Sequence, residues 1–109
     1  MKLNIYKGKK IEKTYEADTY DLMFGTVEDV AEAVNLDQLK TGSDVEIITM
    51  IGKLVLNSMD TVKDLLKDIF DGITDEEIKR TKVKEIAAVL LDVVKYTIAQ
   101  LNLGNNGKN

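Results

Sequence analysis

The stretch that decides the fold is residues 64–101, DLLKDIFDGITDEEIKRTKVKEIAAVLLDVVKYTIAQL. It contains an acidic turn at Asp71-Gly72, a helix-start motif at Thr74–Glu77 and an apolar spacing that predicts a long helix over 82–103. On a helical wheel, the apolar arc of this last helix spans roughly 220°, whereas an ordinary surface helix needs about 100°. Either the rest of the chain covers that arc, or part of it is kept for a partner.

Upstream of this stretch, the apolar spacing predicts three further helices. The first begins near Thr19, which we expect to cap it, and bends or breaks at Gly25. The second starts at a capping box, Ser43-Asp44-Val45-Glu46. The third covers 60–70, after a break near Asn57-Ser58. We expect a loop over 35–42, between the first two helices.

Residues 2–17 alternate in the manner of a β-hairpin. Leu3 and Ile5 share one face of the first arm, and Gly8 lies in the turn. In the second arm we predict one common face, which holds Ile11, Lys13, Tyr15 and Ala17. Since a lone hairpin is marginal in water, it must pack on the helices. The predicted fold class is therefore mainly α (α+β), with an N-terminal β-hairpin packed against a bundle of four to five helices.

The length of 109 residues is that of one domain. We expect a single globular domain over residues 1–104, with the hairpin at 2–17 and the helical part at 19–103. Thr81 is expected to cap the last helix and Gly104 to end it. The remaining residues 105–109 are polar, and we expect them to form a disordered tail.

Composition argues against an enzyme. The chain has no Cys and no His, which excludes thiolate nucleophiles, disulfides and the usual catalytic triads. We therefore expect no catalytic residue, no metal site and no cofactor. The formal net charge of −4 argues against nucleic-acid partners. The absence of a secretion signal and of a run of ~18 apolar residues predicts a cytoplasmic protein without membrane contact.

The acidic turn does not fit a calcium loop. An EF-hand requires an oxygen ligand at its first position and a Glu at its last, and these positions hold Lys67 and Ile78. A turn followed by a helix cap is the better interpretation of Asp71–Glu77.

Two further motifs suggest alternative functions. Ser58, in the segment NSMDTV, resembles the Asp-Ser-Leu attachment site of acyl carrier proteins, which carry phosphopantetheine on that serine. However, Asn57 replaces the expected Asp and the hairpin has no place in that small four-helix fold, so a helix N-cap is preferred. An acyl-carrier-like or small helical interaction domain stays the alternative. A DNA-binding regulator is less favoured, because acidic residues flank the basic cluster at 79–84.

The order of elements resembles that of the tail assembly chaperones of long-tailed bacteriophages that infect Gram-positive bacteria or persist there as prophages. The resemblance spans most of the chain and is best over 65–101. Its signature is the turn FDGITDEE at 70–77 followed by KVKEI at 82–86, and the last helix ends in VVKYTIAQL at 93–101. It implies a non-enzymatic protein that binds and solubilises the long tape-measure protein and helps recruit tail-tube subunits. It also implies self-association, residence in the host cytoplasm and absence from the mature virion.

Within this family the sequence does not mark the client-binding residues. We expect the last helix and the acidic turn to contribute, since apolar residues there outnumber the obvious demands of one core. The predicted partner-binding residues are Phe70, Ile73, Val89, Val93 and Tyr96.

Overall fold

The computed structural model describes residues 1–34 and 43–106, with side chains up to Gln100. Its elements in chain order are β1 (Lys2–Lys7), β2 (Lys10–Glu16), a 3₁₀ turn (Thr19–Asp21), α1 (Phe24–Ala33), α2 (Asp44–Asn57), α3 (Met59–Ile69), α4 (Asp75–Lys79) and α5 (Val83–Asn106). The described chain is mostly helical and carries an N-terminal two-stranded antiparallel hairpin, which confirms the predicted fold class.

Helix α5 is the element against which most others pack. It contacts α1, α2, β1 and the 3₁₀ turn, while α3 packs on α1 and α2. Apart from Val83, every large apolar side chain of α5 up to Ile98 is buried or half-buried. Between Ile86 and Ile98, the wide apolar arc of this helix is therefore covered by the chain itself.

A bulge in the hairpin changes which residues face the core. The register is regular up to the pair Ile5–Lys13. The next pair is Tyr6–Ile11, which leaves Glu12 as an extra residue in β2. Because directly paired residues lie on the same face of a sheet, Ile11 shares its face with Tyr6 and not with Lys13. Ile11 is accordingly 55% exposed, and the predicted common face of the second arm is wrong at this residue.

The segment before α1 starts and breaks at other residues than predicted. Asp18, and not Thr19, caps the 3₁₀ turn, since its carboxylate accepts a hydrogen bond from Tyr20 N at 3.0 Å. The backbone is then extended at Met23, so the break precedes Gly25 instead of falling on it.

The predicted caps of the later helices have different outcomes. Ser43 Oγ accepts from Glu46 N at 3.3 Å, which confirms Ser43 as the N-cap of α2. Thr81 instead donates its hydroxyl to the carbonyl of Ile78 at 2.6 Å and so closes α4. The prediction that Thr81 caps the last helix is wrong.

Helix α5 continues past Gly104, where it was predicted to stop, and reaches Asn106. The predicted loop at 35–42 lies outside the described residues, as does the 107–109 part of the predicted tail.

Candidate functional site

Four of the five predicted partner-binding side chains lie in the core. Phe70, Ile73, Val89 and Val93 are each at least nine-tenths buried. Tyr96 is half-buried, and its ring meets that of Tyr20 edge-on, with the ring centroids 6.4 Å apart. A partner would reach the four buried side chains only if the helices separated. The partner-binding surface of the folded protein must therefore be sought among other residues.

The acidic turn is a joint between the hairpin and the helices. The capping box at Thr74 and Glu77 is present in full, with Thr74 N donating to Glu77 Oε1 at 3.1 Å. The same carboxylate accepts from Tyr15 OH at 2.6 Å and lies 3.6 Å from Lys13 Nζ. The hydrogen bond from Tyr15, more than any other contact, holds the pKa of Glu77 below its ordinary value.

A second joint lies at the start of α5. The Glu85 carboxylate accepts hydrogen bonds from Tyr6 OH and, at 3.2 Å, from Asn4 N. Burial acts to raise the pKa of Glu85, but these hydrogen bonds outweigh it and the pKa is lowered. The Tyr6 backbone N also donates to the Arg80 carbonyl at 2.8 Å. The two joints attach β2 to α4 and β1 to the start of α5.

The basic cluster at 79–84 is partly used by these joints. Arg80 pairs with Glu12 at 3.2 Å, and the Lys82 ammonium lies over the Tyr6 ring, 4.6 Å from its centroid. Two of its four cations therefore serve the hairpin, which leaves less of the cluster for a phosphate backbone.

We expect acid to weaken the two joints. The folded-state pKa values of Glu77 and Glu85 are lowered, so their stabilising contribution is complete at neutral pH. It is lost as pH falls below the ordinary carboxyl value of about 4.3 and through the lowered pKa values. Denaturant unfolding at a series of pH values should show a steeper acid loss of stability in the parent than in a Glu77→Gln/Glu85→Gln variant. Glu76→Gln, which changes an exposed carboxylate, is the control. If the free energy of unfolding falls with pH equally steeply in the parent and in the double variant, Glu77 and Glu85 are not the source of the acid sensitivity.

The face of α2 that points away from the core is apolar. Val45, Ile48 and Leu56 are 75%, 54% and 81% exposed, and Gly52 lies between them on the same side. We call these four residues the outer face; it follows α2 for about 16 Å. The opposite side of the helix is in the core through Ile47, Ile51 and Leu54.

Gly52 leaves open space beside α2. Among the residues that the structure describes, a Cβ placed there would meet no heavy atom within 4 Å beyond its chain neighbours and the nearby backbone of its own helix, although glycine inside a helix costs about 1 kcal/mol relative to alanine. Its absence of a side chain leaves room for another backbone to approach closely. The sequence predicts for this helix an apolar arc nearly as wide as that of α5, but none of the predicted partner-binding residues lies on the outer face. The signal for it was a second apolar stripe, spaced three and four residues apart, beside the core-facing one.

A second apolar feature is a concavity between α2, α3 and the start of α5, which we call the groove. It has a volume of about 270 Å³ and includes the exposed side chains of Met59 and Val83. Its other described lining residues are Val55, Val62, Ile78, Thr81 and Ile86, with the two lysines Lys63 and Lys79.

The third exposed apolar feature lies between the 3₁₀ turn and α1. Tyr20, Met23 and Phe24 are 83%, 73% and 77% exposed, and we call them the tip. They lie on either side of the extended backbone at Leu22 and Met23, where the chain leaves the 3₁₀ turn and enters α1.

Ser58 stands at the N-cap position of α3, as predicted, and is half-buried. Its hydroxyl makes no capping hydrogen bond, so the change of direction between α2 and α3 depends on the backbone, with Ser58 N donating to the Leu54 carbonyl at 2.8 Å.

Two kinds of site are missing from the part of the chain that the structure describes. No group of three or more acidic residues is placed so that it would hold a metal ion. None of the helices described between residues 1 and 106 combines the length and the apolar character needed to cross a bilayer.

Comparisons of the chain with protein-family models, with curated proteins and with solved structures found no match. The functional proposal therefore depends on the exposed apolar surfaces and on the resemblance in element order.

Proposed function

We propose that the chain is a tail assembly chaperone that binds and solubilises a tape-measure protein and helps recruit tail-tube subunits, without catalysis. The observation that carries this proposal is the outer face of α2, an exposed apolar stripe on a helix whose other side is already packed in the core. The family itself comes from the resemblance in element order.

The outer face suits a helical client. A large exposed apolar stripe marks an interaction surface, and a helix that presents apolar residues at three- and four-residue spacings packs along another such helix. Helix axes approach to about 8–10 Å in such pairs, and Gly52 favours the short end of that range. A long, coiled tape-measure protein offers many segments of this kind.

The size of the outer face predicts weak binding by one copy. Each of its three large side chains contributes about 1.5–3 kcal/mol when fully buried. Association itself costs about 4 kcal/mol or more, so little is left for a single contact. Many copies on one long client hold it together far better than one copy does, and each copy is still released easily. A coating chaperone in the cytoplasm of the host requires both properties, because the chaperone must leave the tape-measure protein before the virion is complete.

The proposal is tested by co-expression with a helical segment of a phage tape-measure protein. We expect the soluble fraction of the segment to rise with the chain present, and the two to co-elute in size-exclusion chromatography. If the segment is equally insoluble with and without the chain, the proposed function is wrong.

A further inference from the structure

The tip and the groove remain outside the proposed client site, and they match each other. We propose that the tip of one copy docks into the groove of a second copy of this chain. This contact goes beyond the proposed function, because it depends on neither the client nor the outer face of α2.

The two surfaces lie far apart on one molecule. The tip touches α5 through Tyr20 and Tyr96, whereas the groove includes Val83 at the start of the same helix. Thirteen residues of helix separate Val83 from Tyr96, which is about 20 Å. A tip therefore meets a groove between molecules, in a contact that joins two different patches.

The groove has the size and lining to hold one aromatic side chain. Its volume is about 270 Å³, and most of the described lining is apolar. An apolar cavity of about 150 Å³ is enough to bind benzene, so the ring of Phe24 fits with room for part of Met23. Aromatic anchors in such pockets dominate the energy of many protein interfaces.

Charge also favours this pairing. The described lining of the groove includes Lys63 and Lys79 and no carboxylate. Neither lysine lies within ion-pair distance of a described carboxylate, although both add to the effect of Lys67 in lowering the pKa of the nearby Asp75. The stretch 14–34 that carries the tip contains six carboxylates and no Lys or Arg, including Asp21 and Glu28 close to Phe24. Two tips would repel each other, whereas a tip and a groove attract.

Two matched substitutions test the contact. Phe24→Asp removes the anchor of the tip, and Val83→Asp places a carboxylate at the groove. Both residues are exposed and each is the first of its helix, where a carboxylate is favoured by the helix dipole, so the fold should be kept. We expect the parent chain to self-associate with rising concentration in sedimentation velocity. Each variant should associate at least about tenfold more weakly and sediment near its monomer mass of 12.2 kDa.

Mixing the two variants gives the decisive result. The Val83→Asp chain still has an intact tip and the Phe24→Asp chain an intact groove, so an equimolar mixture should form a heterodimer and nothing larger. A mixture that stays monomeric, or a parent chain that is monomeric at every concentration, would overturn the proposal. Raising the salt concentration should weaken the contact, because Lys79 and the carboxylates Asp21 and Glu28 are exposed.

A third variant separates this inference from the proposed function. Val45→Asp lies in the first turn of α2 on the outer face, and it should leave self-association unchanged. If the parent chain solubilises the client but never self-associates, the chaperone proposal stands and the tip-to-groove contact is wrong. If the parent chain self-associates but does not solubilise the client, the tip-to-groove contact stands and the chaperone proposal is wrong.

Discussion

Val93→Asp is expected to unfold the protein, whereas Val83→Asp on the same helix leaves it folded. Val93 is 0% exposed, at the centre of α5, while Val83 is 66% exposed at its start. An unpaired carboxylate buried among apolar side chains costs several kcal/mol. The whole free energy of unfolding of a domain is only about 5–15 kcal/mol, so one such change removes most of it.

Thermal unfolding followed by circular dichroism measures this difference. The parent chain and Val83→Asp should melt cooperatively at similar temperatures, and Val93→Asp should show no cooperative transition. A cooperative melt of Val93→Asp near the parent temperature would show that the middle of α5 is not in the core.

The second large effect is loss of client binding when the ends of the outer face become charged. In Val45→Asp/Leu56→Lys, the acid lies in the first turn of α2 and the base in its last turn, and the helix dipole favours both. The fold should therefore be kept, because both side chains are exposed in the parent. We expect the soluble fraction of a co-expressed tape-measure segment to fall to the level seen without the chain.

Ile11→Lys is the matched control, since it replaces an exposed apolar side chain on the hairpin, away from α2. It should solubilise the client as well as the parent does. Equal loss in both variants would show that general surface hydrophobicity, and not the outer face, holds the client. Full activity of the α2 double variant would place the client site elsewhere.

The elements themselves could be predicted because their signals are local. Ser43 and Thr74 each lie three residues before a Glu, and the hydroxyl of each accepts from the backbone N–H of that Glu in the structure. A hydrogen bond within four residues does not depend on the rest of the fold. For the same reason the period-two pattern around Leu3 and Ile5 was sufficient to predict a strand.

Burial was less predictable, because it depends on which element covers which face. The spacing of the apolar residues along α5 shows a wide apolar arc that includes Val89 and Val93, but it does not show that α1, α2 and the hairpin pack around it. The surplus apolar surface lies instead on α2 and beside Met23. The break at Met23 has no proline or glycine of its own to mark it, and the bulge at Glu12 has no glycine either.

The two joints of the hairpin have a consequence for synthesis of the chain. Tyr6 meets Glu85 and Tyr15 meets Glu77 across separations of 79 and 62 residues. At about 5–20 residues/s, the ribosome needs about 4–16 s to make the later partner of Tyr6. Until Glu77 and then Glu85 are made, the nascent hairpin lacks the partners that hold it in the folded protein, and alone it is only marginally stable. Its five lysines then keep its open edges from pairing with the hairpins of neighbouring nascent chains until α5 has been made.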